Sequence, residues 1–168
     1  MKLIFKQAKR DEFNEALDFF KAASTALREK NLSQWHYWDQ PPEDKITWVK
    51  EGFEKGEFYF VYDEKDQKVG MFRLLDTDTL YWHDRGLEQN TRYVHSLVVS
   101  RSETGKGIGK YILLKLRDQL KKNGISKFRL DCDASNQRLC KYYEDLGFKK
   151  TGEKKTEYAV NNLYEMFL

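Results

Sequence analysis

Three glycines between a strand-like and a helix-like segment are the residues of this chain best suited to bind a ligand. The run from Val98 to Lys110 contains Gly105, Gly107 and Gly109 and leads into an amphipathic helical pattern. The first amides of a helix have no intrahelical partner, glycines let a ligand approach them closely, and the helix dipole favours negative charge. The run therefore predicts a phosphate or pyrophosphate site. The alternative is a strand-to-helix turn that glycine merely softens.

Two common nucleotide-binding patterns do not fit this run. The Walker pattern G-x-x-x-x-G-K-[ST], ending at Gly109 and Lys110, would need glycine at Thr104 and a serine or threonine at Tyr111. The dinucleotide pattern G-x-G-x-x-G, begun at Gly105, would need glycine in place of Lys110. Nucleotide hydrolysis and nicotinamide chemistry are therefore disfavoured.

A second spacing with chemical meaning joins Asn136 and Tyr143, in the helical pattern that stops at Gly147. Seven residues are two helical turns, so the two side chains would face the same way about 10 Å apart along the axis. That separation suits an elongated ligand lying along the helix. The alternative is that Asn136 only caps the helix and Tyr143 only fills the core.

Taken together, the two motifs resemble those of the GNAT family of N-acetyltransferases. The family's loop R/Q-x-x-G-x-G/A matches residues 104–109, and its helix motif N-x(6)-Y-x-x-x-G-F matches residues 136–148. Thr104 departs from the first motif, which has Arg or Gln there, and so removes one longer polar contact to phosphate. The resemblance implies an α/β fold with a mixed, mostly antiparallel central sheet, flanking helices and a splayed acetyl-CoA cleft. It also implies a single acetyltransferase domain over residues 1–168.

The same resemblance implies how acetyl-CoA would be held. Backbone groups of the central strand would pair with the pantetheine arm, and loop amides would hold the pyrophosphate, with Lys106 or Lys110 adding charge. Thr104 would offer its hydroxyl and its amide. The residues assigned to acetyl-CoA are Leu97, Val98, Val99, Thr104, Gly105, Lys106, Gly107, Ile108, Gly109, Lys110, Asn136 and Tyr143.

Acetyl transfer to an amine needs a group that removes a proton. An amine with a pKa near 10.4 is neutral in roughly one molecule in 10³ at pH 7. His95, in the predicted central strand on the side of Leu97 and Val99, is the candidate base. The alternatives are a structural histidine and deprotonation through water without a side-chain base. Tyr143 is the candidate acid that protonates the departing thiolate.

The first half of the chain is rich in aromatic residues that could line an acceptor pocket. We expect Trp35, Trp38 and Trp82 to contribute to it, although aromatic clusters often form the core instead. Cys132 and Cys140 could support an acyl-cysteine scheme, but neither has a neighbouring histidine in sequence. Buried, inert thiols are the preferred interpretation.

Hydrophobic periodicity places these residues on a mixed set of strands and helices. We predict strands at residues 3–6, 57–62, 69–75, 93–99, 127–132, 148–150 and 163–167. We predict helices at residues 11–30, 43–55, 107–122 and 135–146. The segment 76–92 is predicted as a loop or a short edge strand. This order indicates one mixed α/β domain.

Composition excludes several classes of protein. The 168 residues carry 30 Lys and Arg against 27 Asp and Glu, a net charge of +3, so nucleic-acid binding is not required. No apolar run approaches the roughly 20 residues of a membrane helix. Two cysteines and three scattered histidines predict neither a disulfide framework nor a metal site, and a cytoplasmic location is expected.

We therefore predict an acetyl-CoA-dependent enzyme that acetylates an amine of a small molecule or peptide directly. A non-catalytic acyl-CoA-sensing module of the same fold remains an alternative, as does a small nucleotide-binding or interaction domain. Neither a nucleic acid nor a membrane is expected as a partner. Exposed edge strands, which this architecture would have, are compatible with a homodimer.

Overall fold

The computed structural model describes residues 2–168, which fold into seven strands and five α-helices. The strands are β1 (Ile4–Gln7), β2 (Phe58–Tyr62), β3 (Lys68–Leu75), β4 (Thr91–Val99), β5 (Lys127–Asp133), β6 (Lys149–Lys155) and β7 (Val160–Phe167). The helices are α1 (Phe13–Glu29), α2 (Glu43–Glu54), α3 (Thr79–Trp82), α4 (Ile108–Lys122) and α5 (Gln137–Asp145). Every predicted strand and helix is therefore present, with shifted ends.

The strands form one sheet in the order β1-β2-β3-β4-β5-β7-β6. β4 and β5 are parallel, whereas β1 with β2, β2 with β3, β5 with β7 and β6 with β7 are antiparallel. The predicted mixed, mostly antiparallel sheet with flanking helices is confirmed. The parallel register runs from Thr91 opposite Lys127 to Val94 opposite Leu130, and both strands continue beyond it.

The chain divides into two compact units. The first extends to Leu74 and also includes Ser96–Gly109. Its core joins α1 and α2 to β2 and β3 through an apolar cluster that includes Phe20, Trp38 and Phe58. Phe20 and Trp38 stack at 3.9 Å between ring centroids, so burial of aromatic faces holds α1 to the segment before α2.

The second unit comprises Leu75–His95 and Lys110–Leu168. Strand β7 has partners on both sides, because β5 and β6 each pair with it along nearly their whole length. The apolar side chains Leu75, Trp82, Tyr93 and Leu163 form a buried cluster in this unit. Pairing with both neighbours explains why β7 is longer than the predicted strand at residues 163–167.

Two segments differ from the sequence-based prediction. The segment 76–92 contains α3 and a 3-10 turn at His83–Leu87, so the predicted loop or edge strand is wrong there. The Asp78 side chain caps α3 by accepting a hydrogen bond from the Tyr81 amide. Gly86 is required behind it, since a Cβ there would lie 2.2 Å from the Asp78 carbonyl oxygen. Strand β6 extends to Lys155 although its pattern is almost wholly polar, because it lies at the sheet edge.

Within residues 2–168, no helix combines the length and the apolar character that crossing a membrane requires.

Candidate active site

The glycine loop before α4 has the backbone that its sequence suggests. Gly105 and Gly107 adopt left-handed φ angles of 83° and 76°, which L side chains rarely adopt. A Cβ added at either position would meet no atom within 4 Å. Both glycines therefore border open space next to the amides that begin α4, as an anion-binding loop requires.

Two of the amides predicted to bind phosphate are already used inside the loop. The Thr104 amide donates to the Arg101 carbonyl at 3.2 Å, and the Lys106 amide donates to the Glu103 carbonyl at 3.2 Å. Pyrophosphate would have to compete with these turn hydrogen bonds, and the predicted role of these two amides stays a prediction. The opening amides of α4, at Ile108, Gly109 and Lys110, have no intrahelical acceptor because of their position.

The charged side chains of the loop are partly neutralised. The Lys106 ammonium lies 3.1 Å from a Glu103 carboxylate oxygen, and Arg101 makes two hydrogen bonds to Glu29 at 2.7 and 3.0 Å. These pairs are exposed, so each contributes little to stability. Because these side chains are paired, the backbone is the main attraction of the loop for an anion.

The central strand β4 has an irregular backbone beside the candidate base. Ser96, which follows His95, has a left-handed φ of 55°. This geometry is strained for a residue with a side chain and breaks the regular pleat of a strand. The prediction that His95 shares a face with Leu97 and Val99 by simple alternation therefore no longer follows.

His95 lies between two acidic side chains. Its Nε2 is 2.7 Å from Oδ2 of Asp78, and its Nδ1 is 3.2 Å from Oδ1 of Asp131. The side chains of all three residues are at most 9% exposed. Both ring nitrogens therefore face carboxylates.

Helix α5 carries the second predicted pair. Asn136 is its N-cap, with Oδ1 accepting from the Leu139 amide at 3.1 Å, so the capping interpretation of this residue is confirmed. Tyr143 lies in the same helix and is only 8% exposed. Burial raises the pKa of the Tyr143 phenol well above its usual value, so the phenol stays protonated at neutral pH.

The two cysteines are neighbours in the structure. Cys132 and Cys140 are both free and buried, and their sulfurs are 3.4 Å apart. Burial, and then the hydrogen bond with Cys140, raise the pKa of the Cys132 thiol. A protonated, buried thiol is a poor nucleophile, which agrees with the interpretation of inert thiols. Among residues 2–168 there is no cluster of three or more residues arranged to hold a metal ion.

The tryptophans predicted to line an acceptor pocket belong to the cores of their units. Trp38 is 4% exposed and Trp82 is 2% exposed, while Trp35 packs against the cluster that contains Trp38. Trp82 also lies under the Arg129 guanidinium, 4.5 Å from its ring centroid. The core alternative therefore accounts for the positions of Trp38 and Trp82.

Comparison with known proteins adds the decisive observation. Residues 24–148 match the model of the acetyltransferase (GNAT) family. The chain belongs to the GNAT family. It is an acyltransferase, as predicted, and the match covers both motifs, which occupy residues 104–109 and 136–148.

Individual relatives agree with the assignment of this chain to the GNAT family. The uncharacterized N-acetyltransferase YesJ of Bacillus subtilis (strain 168) is 27% identical over 138 residues, covering 80% of this chain and 74% of YesJ. A GNAT family acetyltransferase structure from Listeria monocytogenes 4b F2365 superimposes with a TM-score of 0.79 at 22% identity, covering 99% and 95% of the two chains. An aminoglycoside acetyltransferase AAC(6')-Ib in complex with coenzyme A gives a TM-score of 0.72 at 16% identity, covering 99% and 95%. These structures show a shared fold.

Asp78 and Asp131 are the residues that sequence reasoning missed in this GNAT chain. Asp131 lies in the predicted strand at residues 127–132, just before the second motif, and Asp78 lies in the polar segment that was predicted as a loop or a short edge strand. The sequence does contain a sign of the helix cap, because Asp78 stands three residues before Tyr81, the spacing between an N-cap side chain and the amide that it accepts from. Nothing local to the sequence connects either aspartate with His95.

Proposed function

We propose that this enzyme transfers the acetyl group of acetyl-CoA directly to a primary amine. The observation that carries the proposal is the glycine loop, in which Gly105 and Gly107 combine left-handed backbone with open space at the start of α4. A loop of this kind fits the pyrophosphate of CoA, a doubly charged group that backbone amides can surround.

The chemical steps follow from the other residues. The amine attacks the thioester carbonyl, a C–N bond forms, and the C–S bond breaks with its electrons on sulfur. The Tyr143 phenol donates a proton to that sulfur, and the group containing His95 receives a proton from the amine. Direct transfer is favoured over an acyl-cysteine intermediate, because burial keeps the Cys132 thiol protonated.

Other parts of the acetyl-CoA site are proposed from the family pattern. The backbone of Leu97, Val98 and Val99 would pair with the pantetheine amides, and the amides from Ile108 to Lys110 would hold phosphate. Lys106 and Lys110 are exposed at the loop and would add positive charge. Asn136 would contribute beyond its cap, in line with Tyr143 on α5.

The acceptor is proposed to be a small amine or a peptide amine. Structural relatives include a spermidine N-acetyltransferase chimera and an aminoglycoside acetyltransferase with coenzyme A and kanamycin, so multivalent amines belong in a first panel. Of the predicted acceptor-side residues, Trp35 is the least buried and is the one whose replacement should change the acceptor KM.

The test is release of CoA, detected with a thiol reagent over a panel of polyamines, aminoglycosides, arylalkylamines and lysine peptides. The buried cysteines keep the background of such an assay low. Turnover with at least one amine is expected. Binding of acetyl-CoA with no turnover across the panel would favour a sensing module instead.

A matched pair of glycine variants tests the loop itself. Gly107 and Gly124 have nearly equal φ angles of 76° and 77°, and a Cβ at either would meet nothing within 4 Å. Alanine therefore costs a similar strain of about 1–2 kcal/mol at both positions. We expect Gly107→Ala to weaken acetyl-CoA binding at least tenfold and Gly124→Ala to leave it unchanged. Equal affinities would remove the loop from the proposal.

The location, domain organisation and oligomeric state of the enzyme are also proposals. Two free, buried thiols are consistent with a reducing cytoplasm. The proposed single domain over residues 1–168 predicts one cooperative unfolding transition, which calorimetry measures. A homodimer, predicted from edge strands, is tested by light scattering on the purified chain.

A further inference from the structure

We propose that Asp78 and Asp131 are positioning residues that hold His95 from both sides and set how many protons it carries during acetyl transfer. This inference rests on the proposed function. Each carboxylate uses one oxygen on the imidazole and the other on the protein around it. The three side chains therefore work as one proton-carrying group.

The anchoring of the two carboxylates is nearly symmetrical. Asp78 places Oδ2 at 2.7 Å from Nε2 of His95, while its Oδ1 accepts from the Tyr81 amide at 3.2 Å. Asp131 places Oδ1 at 3.2 Å from Nδ1 of His95, while its Oδ2 accepts from the Asn161 side chain at 2.7 Å. The imidazole is therefore fixed by a helix cap on one side and by strands β5 and β7 on the other.

Burial makes the arrangement electrostatically demanding. The exposed fractions of the side chains are 9% for His95, 3% for Asp78 and 8% for Asp131. Two carboxylates this far from solvent are unfavourable without a nearby positive charge. An imidazolium at His95 would supply that charge, so the two aspartates stabilise the charged ring.

Counting protons shows why the group acts as a unit. A neutral imidazole has one N–H, so it can donate to only one carboxylate while its other nitrogen presents a lone pair to the second. With two protons in the group, each ring nitrogen presents an N–H to one carboxylate. The resting enzyme therefore holds two protons here, and the form that accepts a proton from the amine holds one.

The groups around His95 also favour its doubly protonated form. Asp78 and Tyr81 face His95 from α3 and its cap, with the Tyr81 ring 5.0 Å away, and Asp131 faces it from β5. The charge of Asp131 also extends to α5, where it helps to raise the pKa of Tyr143 after the larger effect of burial. The same carboxylate thus favours a protonated imidazole and a protonated phenol.

The proton balance of the reaction closes with these groups. An ammonium acceptor loses two protons on becoming an amide. One of the two protons of the resting Asp78–His95–Asp131 group leaves to solvent to give the accepting form, and one ammonium proton then restores the resting group. The other balances the proton that Tyr143 gives to the CoA sulfur, so the products are an amide, a thiol and one released proton.

The kinetic test is the pH dependence of kcat/KM for an amine acceptor. Asp78→Asn and Asp131→Asn each remove one negative charge and retain a polar side chain that can face the imidazole. The acidic limb of the profile should move to lower pH by about one unit or more in each variant, because the neutral ring becomes easier to reach. The matched control is Asp76→Asn, whose side chain is 80% exposed two residues before Asp78.

If Asp78 and Asp131 had a purely structural role, their replacement would lower the melting temperature and kcat without moving the acidic limb of the kcat/KM profile. If the acidic limb of the kcat/KM profile stayed at the same pH in both variants, the proposal would be overturned, and the limb would report titration of the amine acceptor. The Asp76→Asn profile should match that of the unmodified enzyme; an equal shift in this control would also overturn the assignment.

A second measurement needs neither turnover nor acceptor. In 15N-histidine-labelled enzyme at pH 7.5, both ring nitrogens of His95 should carry protons, and His95→Gln identifies the signals among three histidines. A neutral ring at that pH would overturn the inference even if acetyl transfer were established. Conversely, a doubly protonated His95 ring in a chain with no turnover would refute the proposed function but support the positioning of His95 by Asp78 and Asp131.

Discussion

Replacement of Tyr143 by phenylalanine is the sharpest test of the chemistry, because it removes one oxygen and leaves the packing intact. The ring lies 6.1 Å from those of Phe148 and Tyr164 and 5.6 Å from that of Tyr142, and phenylalanine keeps these contacts. The free energy of unfolding should therefore change by less than about 1 kcal/mol. Any large loss of turnover can then be attributed to the loss of the Tyr143 hydroxyl.

The size of the effect follows from the leaving group. General acid catalysis contributes roughly 10²–10⁴-fold, and a thiol with a pKa near 8.5 is a fairly good leaving group, which favours the lower end. We expect kcat to fall about 100-fold in Tyr143→Phe, which corresponds to about 2.7 kcal/mol of transition-state stabilisation.

The assay is CoA release at saturating acceptor and acetyl-CoA, with Tyr142→Phe as the control on the same helix. Since burial raises the pKa of Tyr143, its proton is retained through pH 10, and loss of this acid should not lower wild-type kcat between pH 7 and pH 10. A kcat within threefold of wild type in a folded Tyr143→Phe variant would refute the assignment. So would an equal loss in Tyr142→Phe.

Three further predictions concern thiols, acid stability and the core. Native enzyme should show no rapid thiol modification at Cys132 or Cys140 until it unfolds, and an acyl-enzyme burst at either would contradict direct transfer. Although partial burial opposes its ionisation, hydrogen bonds from Lys127 and Arg129 lower the pKa of Glu88 to about 2. Its contribution to stability is therefore complete above about pH 4.5 and is lost as pH falls towards 2, and Glu88→Gln should flatten acid unfolding across that window, measured by circular dichroism. Trp38→Ala should cost about 3–5 kcal/mol in denaturant unfolding, because the ring is buried against Phe20; a higher acceptor KM at unchanged stability would instead place it in a pocket.

Local features of the chain were sufficient for most of the fold. The four longer helices and most of the strands follow from apolar periodicity, with errors mainly at their ends, whereas β6 is almost wholly polar. Asn136 was identified both as a cap and as part of a motif, since both depend on spacing along one helix. The segment 76–92 was misread because the structure there depends on the cap at Asp78 and on the close approach of Gly86, which hydrophobic periodicity does not report.

The sequence by itself determined the glycine loop, the spacing of Asn136 and Tyr143, and the family to which they point. Those features are short-range, and a helix or a turn reproduces them wherever the segment lies. Only the tertiary structure placed Asp78 and Asp131 on opposite nitrogens of His95. These contacts join a helix cap, the central strand and its parallel neighbour, and their energies depend on burial and distance, which a linear pattern does not contain.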